Sequence, residues 1–228
     1  MSAGYWKEQA ERFAFAGTLL LVPPNQLEDP GLQHPFWDVL AADADQAVAA
    51  AASRSRQLAR DDAARDVSVI AQEYVRLFMG PPRPAVAPWE TMHRGGGAEG
   101  VGFGAPTYRM RDELRAAGLS FEGSGQYEDH LGIELLFLSV LCERAAEGGD
   151  ATEPAAFARR HPGAWAGAFA RKVAQAAPEG LYAQVTLMAA RFLEQLAEAA
   201  SAAASEAADD EAPAQDGADA AGCAASAE

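Results

Sequence analysis

An all-α fold is what this sequence predicts: one helical, bundle-like domain built around a central buried helix. Three observations predict it. The 49 % apolar fraction of the 228 residues is carried largely by alanine, and strand-type runs of Val, Ile and Thr are scarce. Apolar residues recur at three- and four-residue intervals from residue 3 to residue 199. From Leu131 to Cys142, nine of twelve residues are apolar around the whole circumference, as in a helix enclosed by other helices. Twelve residues are too few to span a bilayer.

Taken in order, the chain opens with Trp6, Phe13 and Leu20 at heptad spacing, which predicts an amphipathic helix over 3–22, stopped by Pro23-Pro24. A loop from Asn25 to Pro35 leads into a second helix carrying Phe36, Trp37, Leu40, Ala44 and Val48, which thins out near Ser53. Asp61-Asp62 reads as the start of a third helix, whose stripe of Val67, Ile70, Ala71, Tyr74, Leu77 and Phe78 ends at Gly80. Four prolines in the ten residues from Gly80 to Trp89 make the next segment stiff and extended, so that Trp89 is presented in a fixed place. The glycine-rich segment Arg94 to Gly104 lacks the Gly-Lys-Ser/Thr ending and the preceding strand of a phosphate loop, and reads as a mobile loop. Pro106 opens another helix and Gly118 closes it, ahead of a hinge at Gly123 to Gly125.

The central helix is expected to begin near Glu128 or Asp129, with both acids at the positive end of its dipole and Asp129 capping it. His130 and Glu134 then share a face. Gly148-Gly149 breaks the chain and Glu153-Pro154 restarts it, with Phe157, His161, Trp165, Phe169 and Val173 on one face and a split at Pro162. The last helix is expected from Pro178 to Ala199. Half of the thirty residues from Ala199 onward are alanine and seven are acidic, with no basic or aromatic residue. The expected organisation is therefore a helical body, 1–199, and a disordered acidic tail, 200–228.

The formal net charge is −15, and the body without its tail keeps about half of it, with 18 basic and 26 acidic residues. Such a surface repels phosphate backbones and suits a cationic partner, so nucleic acid is excluded as the ligand. The N-terminus has no basic segment followed by an apolar run, and no stretch reaches eighteen apolar residues. The expectation is a cytoplasmic protein without a membrane segment. Cys142 and Cys223 form neither a disulfide framework nor a zinc spacing.

No Gly-x-Ser-x-Gly element provides a hydrolase nucleophile. Glu128, Asp129, His130 and Glu134 could exchange protons, yet nothing identifies a substrate. As metal ligands, His130 and Glu134 are two where three or four are needed, so neither metal nor cofactor is expected. Two alternatives stay open: a small metal- or nucleotide-binding helical protein centred on Asp129, His130 and Glu134, and an interaction protein working through its acidic tail.

Three spaced features then coincide: Leu77-Phe78-Met79-Gly80-Pro81 with Pro88-Trp89-Glu90-Thr91-Met92; Glu128-Asp129-His130 with Glu134-Leu135; and Phe157, His161 and Trp165 at four-residue spacing. A Gly-Leu-x-Phe-Glu stretch, Gly118 to Glu122, lies between them. Together they resemble the TorD/DmsD/NarJ family of chaperones for molybdenum enzymes, nearest the DmsD type, over about Val67 to Val173. The resemblance implies an all-helical, non-catalytic cytoplasmic protein that binds the twin-arginine signal peptide of a molybdenum-containing reductase precursor and assists cofactor insertion before export. It also leaves a monomer or a helix-swapped dimer open. Leader recognition in the family falls here on Trp89, Asp129 and His130, with Pro88, Glu128 and Glu134 at neighbouring motif positions. His161 and Trp165 are expected to hold the fold. Tyr127 stands where the family often has proline, and His93 where it often has an aromatic residue. A leader has a cationic head and an apolar stretch, so its receptor is expected to set carboxylates beside an apolar groove, here Glu128 and Asp129 beside Trp89 and the central helix.

Overall fold

The first helix, α1 (Ala3–Leu21), is capped by Ser2, whose Oγ accepts the Tyr5 N–H at 3.2 Å, and it buries Trp6, Phe13 and Leu20 as the heptad spacing predicts. The computed structural model of the chain describes residues 1–27, 35–61, 67–94, 103–121 and 125–210. Among them the regular structure is helical, with one isolated antiparallel bridge, Trp89 to His130. The expected loop over 25–35 therefore lies partly outside the described residues, as do most of the glycine-rich segment and part of the hinge.

The single second helix expected from Phe36 onward is two helices, α2 (Phe36–Ala41) and α3 (Gln46–Asp61). The break has a local cause. Asp43 accepts the Asp45 N–H at 2.8 Å, and Asp45 accepts the N–H groups of Ala47 and Val48 at 2.9 and 3.1 Å, so α3 starts afresh on a side-chain cap. Asp61 closes α3 rather than opening a helix. The following stripe lies on α4 (Val67–Tyr74) and a π-helical turn, Val75–Met79, ended by Gly80 at φ 82°. That turn widens the helix, and Gly80 delivers the chain into the proline-rich loop.

Beyond the loop come the short α5 (Thr91–Arg94) and α6 (Ala105–Ala116), the latter followed by Gly118 at φ 72°. The central helix is α7 (Leu131–Ala146), with Leu131, Ile133, Leu135, Leu138, Leu141 and Cys142 buried on different sides of it. Pro162 splits the next stripe as expected, into α8 (Glu153–Arg160), a 3-10 turn, and α9 (Ala166–Ala176). The last helix, α10 (Leu181–Asp210), starts on the Glu73 carboxylate, which accepts the Leu181 and Tyr182 N–H groups at 3.3 and 3.2 Å. It runs past Ala199 to Asp210, because the alanine and glutamate that dominate the segment are strong helix formers. Residues 211–228 of the expected tail lie outside the described residues.

Helix α7 packs most extensively against α1 and also touches α8, while α10 packs on α3, α9 and α1. At the α1–α7 crossing a Cβ on Gly17 would stand 2.9 Å from the Gly132 carbonyl oxygen, and one on Gly132 would stand 2.9 Å from that of Gly17. Only glycine permits this approach. The contact fixes the first turn of α7, where the candidate site begins.

Candidate functional site

Two loops far apart in sequence meet at the mouth of α7. The Leu131 N–H donates to the Pro88 carbonyl and the Glu90 N–H to the Asp129 carbonyl, both at 2.9 Å, which pairs Trp89 with His130 as a one-rung ladder. Pro88, Trp89, Asp129 and His130 are thus brought together as predicted, and Glu134 lies one turn into α7.

Their roles differ from the sequence expectation. The cap of α7 is His130, not Asp129: the His130 Nδ1 accepts the Gly132 N–H at 3.0 Å, so the ring proton sits on Nε2. The ring is sealed from solvent, and burial pulls its pKa down to about 3. Asp129 serves another helix. One of its oxygens accepts the Thr91 N–H (2.9 Å) and the Thr91 hydroxyl (2.6 Å), and the other accepts the Thr107 hydroxyl at 3.0 Å. It therefore ties α5 and α6 to the hinge. Burial pushes its pKa up, and the three hydrogen bonds oppose the rise. Glu128, nearer the surface, is held in a two-point pair by Arg111, at 2.6 and 3.1 Å, and that pair keeps its pKa low. The acidic knot consequently offers no unpaired carboxylate to a cationic ligand: Asp129 is enclosed and Glu128 is occupied.

Beneath the knot lies a buried polar centre that sequence reasoning assembled only in part. Glu90, from the loop, meets the Nδ1 of His161 at 3.0 Å, and the Trp165 Nε1–H donates to Glu134 at 3.0 Å. Arg94 donates to Glu90 at 2.6 Å and to the Arg160 carbonyl at 2.7 Å. Glu90, Glu134 and His161 are all sealed, with one possible ligand atom of each within 4.8 Å of the others. Burial pushes the Glu134 carboxyl well up, reinforced by the negative charge of Glu90, and its Oε1 has no hydrogen-bond partner among the described residues. Burial opposes ionisation of Glu90 as well, but the hydrogen bond with His161 and the charges of His161 and Arg94 hold its pKa below the ordinary value. A neutral Glu134 beside an ionised Glu90 accounts for two carboxyls in one dry centre. A cation would have to enter beside the Arg94 guanidinium and break the Glu90–His161 contact, so the donor set fits a proton better than a metal ion.

Glu90 and Thr91 stand in the motif that carries the family resemblance, and the signal for them as partners was their position beside Trp89. Thr107 and Arg111 carried no such signal, because their pairing depends on how α6 lies across the hinge. His161 and Trp165, expected to hold the fold, are the groups that fix Glu90 and Glu134.

The surface above this centre is aromatic. The Trp89 ring is half-buried, meeting Tyr127 at 6.3 Å and His130 at 6.1 Å between centroids. Tyr127 meets Phe103 at 5.4 Å, and Phe103 meets Tyr108 at 5.0 Å.

The family described as nitrate reductase delta subunit matches residues 41–171, a span that holds the proline-rich loop, the hinge, α7 and the His161–Trp165 turn. Chaperone protein TorD of Vibrio cholerae serotype O1 is 29 % identical over 134 residues, covering 55 % of this chain and 60 % of the relative, and the same protein of two further strains gives the same values. The chain thus spans three fifths of the length of these curated relatives. A solved protein described as a redox enzyme maturation protein from Archaeoglobus fulgidus aligns over 82 % of this chain and 93 % of its own, with a TM-score of 0.49 at 20 % identity.

Proposed function

We propose that this chain, which belongs to the nitrate reductase delta subunit family, is a maturation chaperone for a molybdenum-containing reductase, and that it binds the twin-arginine leader of that reductase in the cytoplasm until the cofactor is inserted. The observation that carries the reading is the family match over residues 41–171, which encloses every residue of the loop–hinge knot. The likeness to chaperone protein TorD supports the same class.

The site suits binding rather than catalysis. Asp129 and His130 are enclosed and hold α5, α6 and α7, and the enclosed Glu134 holds Trp165 ahead of α9, so they set the shape of a recognition surface, whereas Trp89 and Glu128 reach it. Pro88 fixes the loop through its carbonyl. The prolines between Gly80 and Trp89 stiffen the loop that presents Trp89, which limits the ordering cost of association there. The metal-centred alternative is not favoured, since Glu90, one of the three potential metal ligands buried together among the described residues, is already paired with Arg94 and His161.

Two measurements test this. Calorimetry of the full chain against leader peptides of molybdenum-reductase precursors should give a saturable one-to-one complex. Deleting the chain's gene should lower the molybdenum content of the matching reductase. Absence of binding to every leader, with unchanged molybdenum loading, overturns the proposal.

A further inference from the structure

An open groove of about 570 Å³ runs between α8, the turn Pro162–Ala164 and α9 on one side and the later part of α10 on the other. Ten of its fourteen lining residues are alanine or glycine, so another helix can approach the backbone closely there, as α1 and α7 approach each other at Gly17 and Gly132. Gly163 and Ala164, which line it, lie between His161 and Trp165, the residues that hold Glu90 and Glu134. The α10 wall is Ala197, Ala200, Ser201 and Ala204, a stripe at three- and four-residue spacing. The helix that carries this stripe continues to Asp210, and Ala204 to Ala207 are exposed.

Charge singles out the occupant. Arg159 stands exposed in the α8 wall with no carboxylate partner among the described residues, although Arg160 beside it is paired with Glu113. Glu206, exposed near the end of α10, has no cation among them, whereas Glu194 and Glu198 on the same helix are both taken by Arg191. Round the helix Glu206 lies about 140° from Ser201. A copy of α10 whose Ser201 side meets the α10 wall therefore turns its Glu206 toward the α8 wall, where Arg159 waits. A foreign helix would fill the groove and leave the end of α10 bare, but a second copy of the chain covers both.

We propose that this groove is a dimer interface: the end of α10 from one copy lies in the groove of the other, and the reverse, about a twofold axis. The two alanine–serine stripes pack against each other, and Arg159 pairs with the partner's Glu206. Each copy keeps its own helices, unlike a helix-swapped dimer. Because each chain carries −15, the copies repel at long range, and the contact forms where salt screens that repulsion.

Sedimentation velocity of the full chain in about 150 mM salt, loaded from about 2 to 200 μM, should show a reversible passage from monomer to dimer. Ala204→Glu puts a charge on the stripe at an exposed position and should abolish association at unchanged helical content. Glu206→Arg and Arg159→Glu should each weaken association about tenfold. The chain carrying both changes should return to within about threefold of wild type, because each pair re-forms with its signs exchanged. A wild type that stays monomeric over the whole range leaves the groove to a foreign helix or to residues 211–228, and overturns the proposal. So does a dimer that survives both dilution and Ala204→Glu, as a helix-swapped one would. Single charge variants that associate as wild type does, or a double variant no tighter than the single ones, overturn it as well.

Discussion

Glu90 and His161 touch at 3.0 Å across the centre of the molecule, joining the proline-rich loop to the turn between α8 and α9. Seventy-one residues separate them, and both side chains are sealed from solvent. Removing the charge therefore strands its partners. Glu90→Gln should destabilise the fold by about 3–5 kcal/mol in denaturant titration, because Arg94 and His161 lose a buried carboxylate. An effect below about 1 kcal/mol would mean that the centre is already hydrated.

Glu134 should behave in the opposite sense. Its folded pKa is raised, so the contribution of the neutral form is complete below the unfolded carboxyl pKa and is lost as pH rises through the folded value. Glu134→Gln keeps the shape and an acceptor for Trp165 but cannot ionise. The variant should match wild type below the unfolded carboxyl pKa of about 4.3 and become the more stable of the two as pH rises above it, by up to about 1.4 kcal/mol for each pH unit. Parallel stability curves across that range would show that Glu134 is ionised in the native state.

His130 sets the acid limb. Its pKa is pulled down to about 3, so between the unfolded value and that point the unfolded chain takes up a proton that the folded chain does not. Stability falls there as pH falls, by about 1.4 kcal/mol per pH unit from this group. His130→Asn retains a capping acceptor for the Gly132 N–H and should flatten that limb, measured as the difference in midpoint between the two proteins at each pH.

Asp129 separates structure from recognition. Asp129→Ala leaves the Thr91 N–H and two threonine hydroxyls without their acceptor and should cost about 1–3 kcal/mol. Leader affinity should drop with it, because this carboxylate ties α6, which carries Tyr108, to the hinge that carries Tyr127. Its salt dependence should stay as in wild type, since this carboxylate is not accessible. A change in salt slope with intact stability would reassign Asp129 to direct contact with the arginines.

The helical class, the rigid loop, the split at Pro162 and the buried length of α7 were legible because each rests on local chemistry: apolar period, proline geometry, glycine at positive φ. The pairing of Pro88 and Trp89 with the hinge was legible through the family motif. What the sequence concealed is relational. Asp129 looks like the cap of the helix that follows it, but the positive end of α5, brought in from 38 residues away, takes its oxygens instead. Glu128 looks like a free anion until Arg111, on the face of α6 turned toward the hinge, occupies it. The α2–α3 break was missed because Asp43 and Asp45 sit among alanines that continue a helical pattern, and the bonds that interrupt it involve side-chain oxygens rather than a breaker residue. The end of α10 was misplaced because an alanine–glutamate composition suits both a solvated coil and an exposed helix.

The glycine-to-glycine contact between α1 and α7 bears on how the molecule opens. Two backbones in direct contact, flanked by Leu21 and Leu136, cannot slide without losing packing on both sides, so these helices should exchange their amide hydrogens only through global unfolding. Helices α5 and α6 are held to that pair by side-chain hydrogen bonds through Asp129, and their amides should exchange through a smaller, faster opening. In deuterium labelling followed by mass spectrometry, peptides from α1 and α7 should form one slow class and those from α5 and α6 a faster one. The surface offered to a partner would then ride on the quick layer of the protein, over a slow frame that keeps its place.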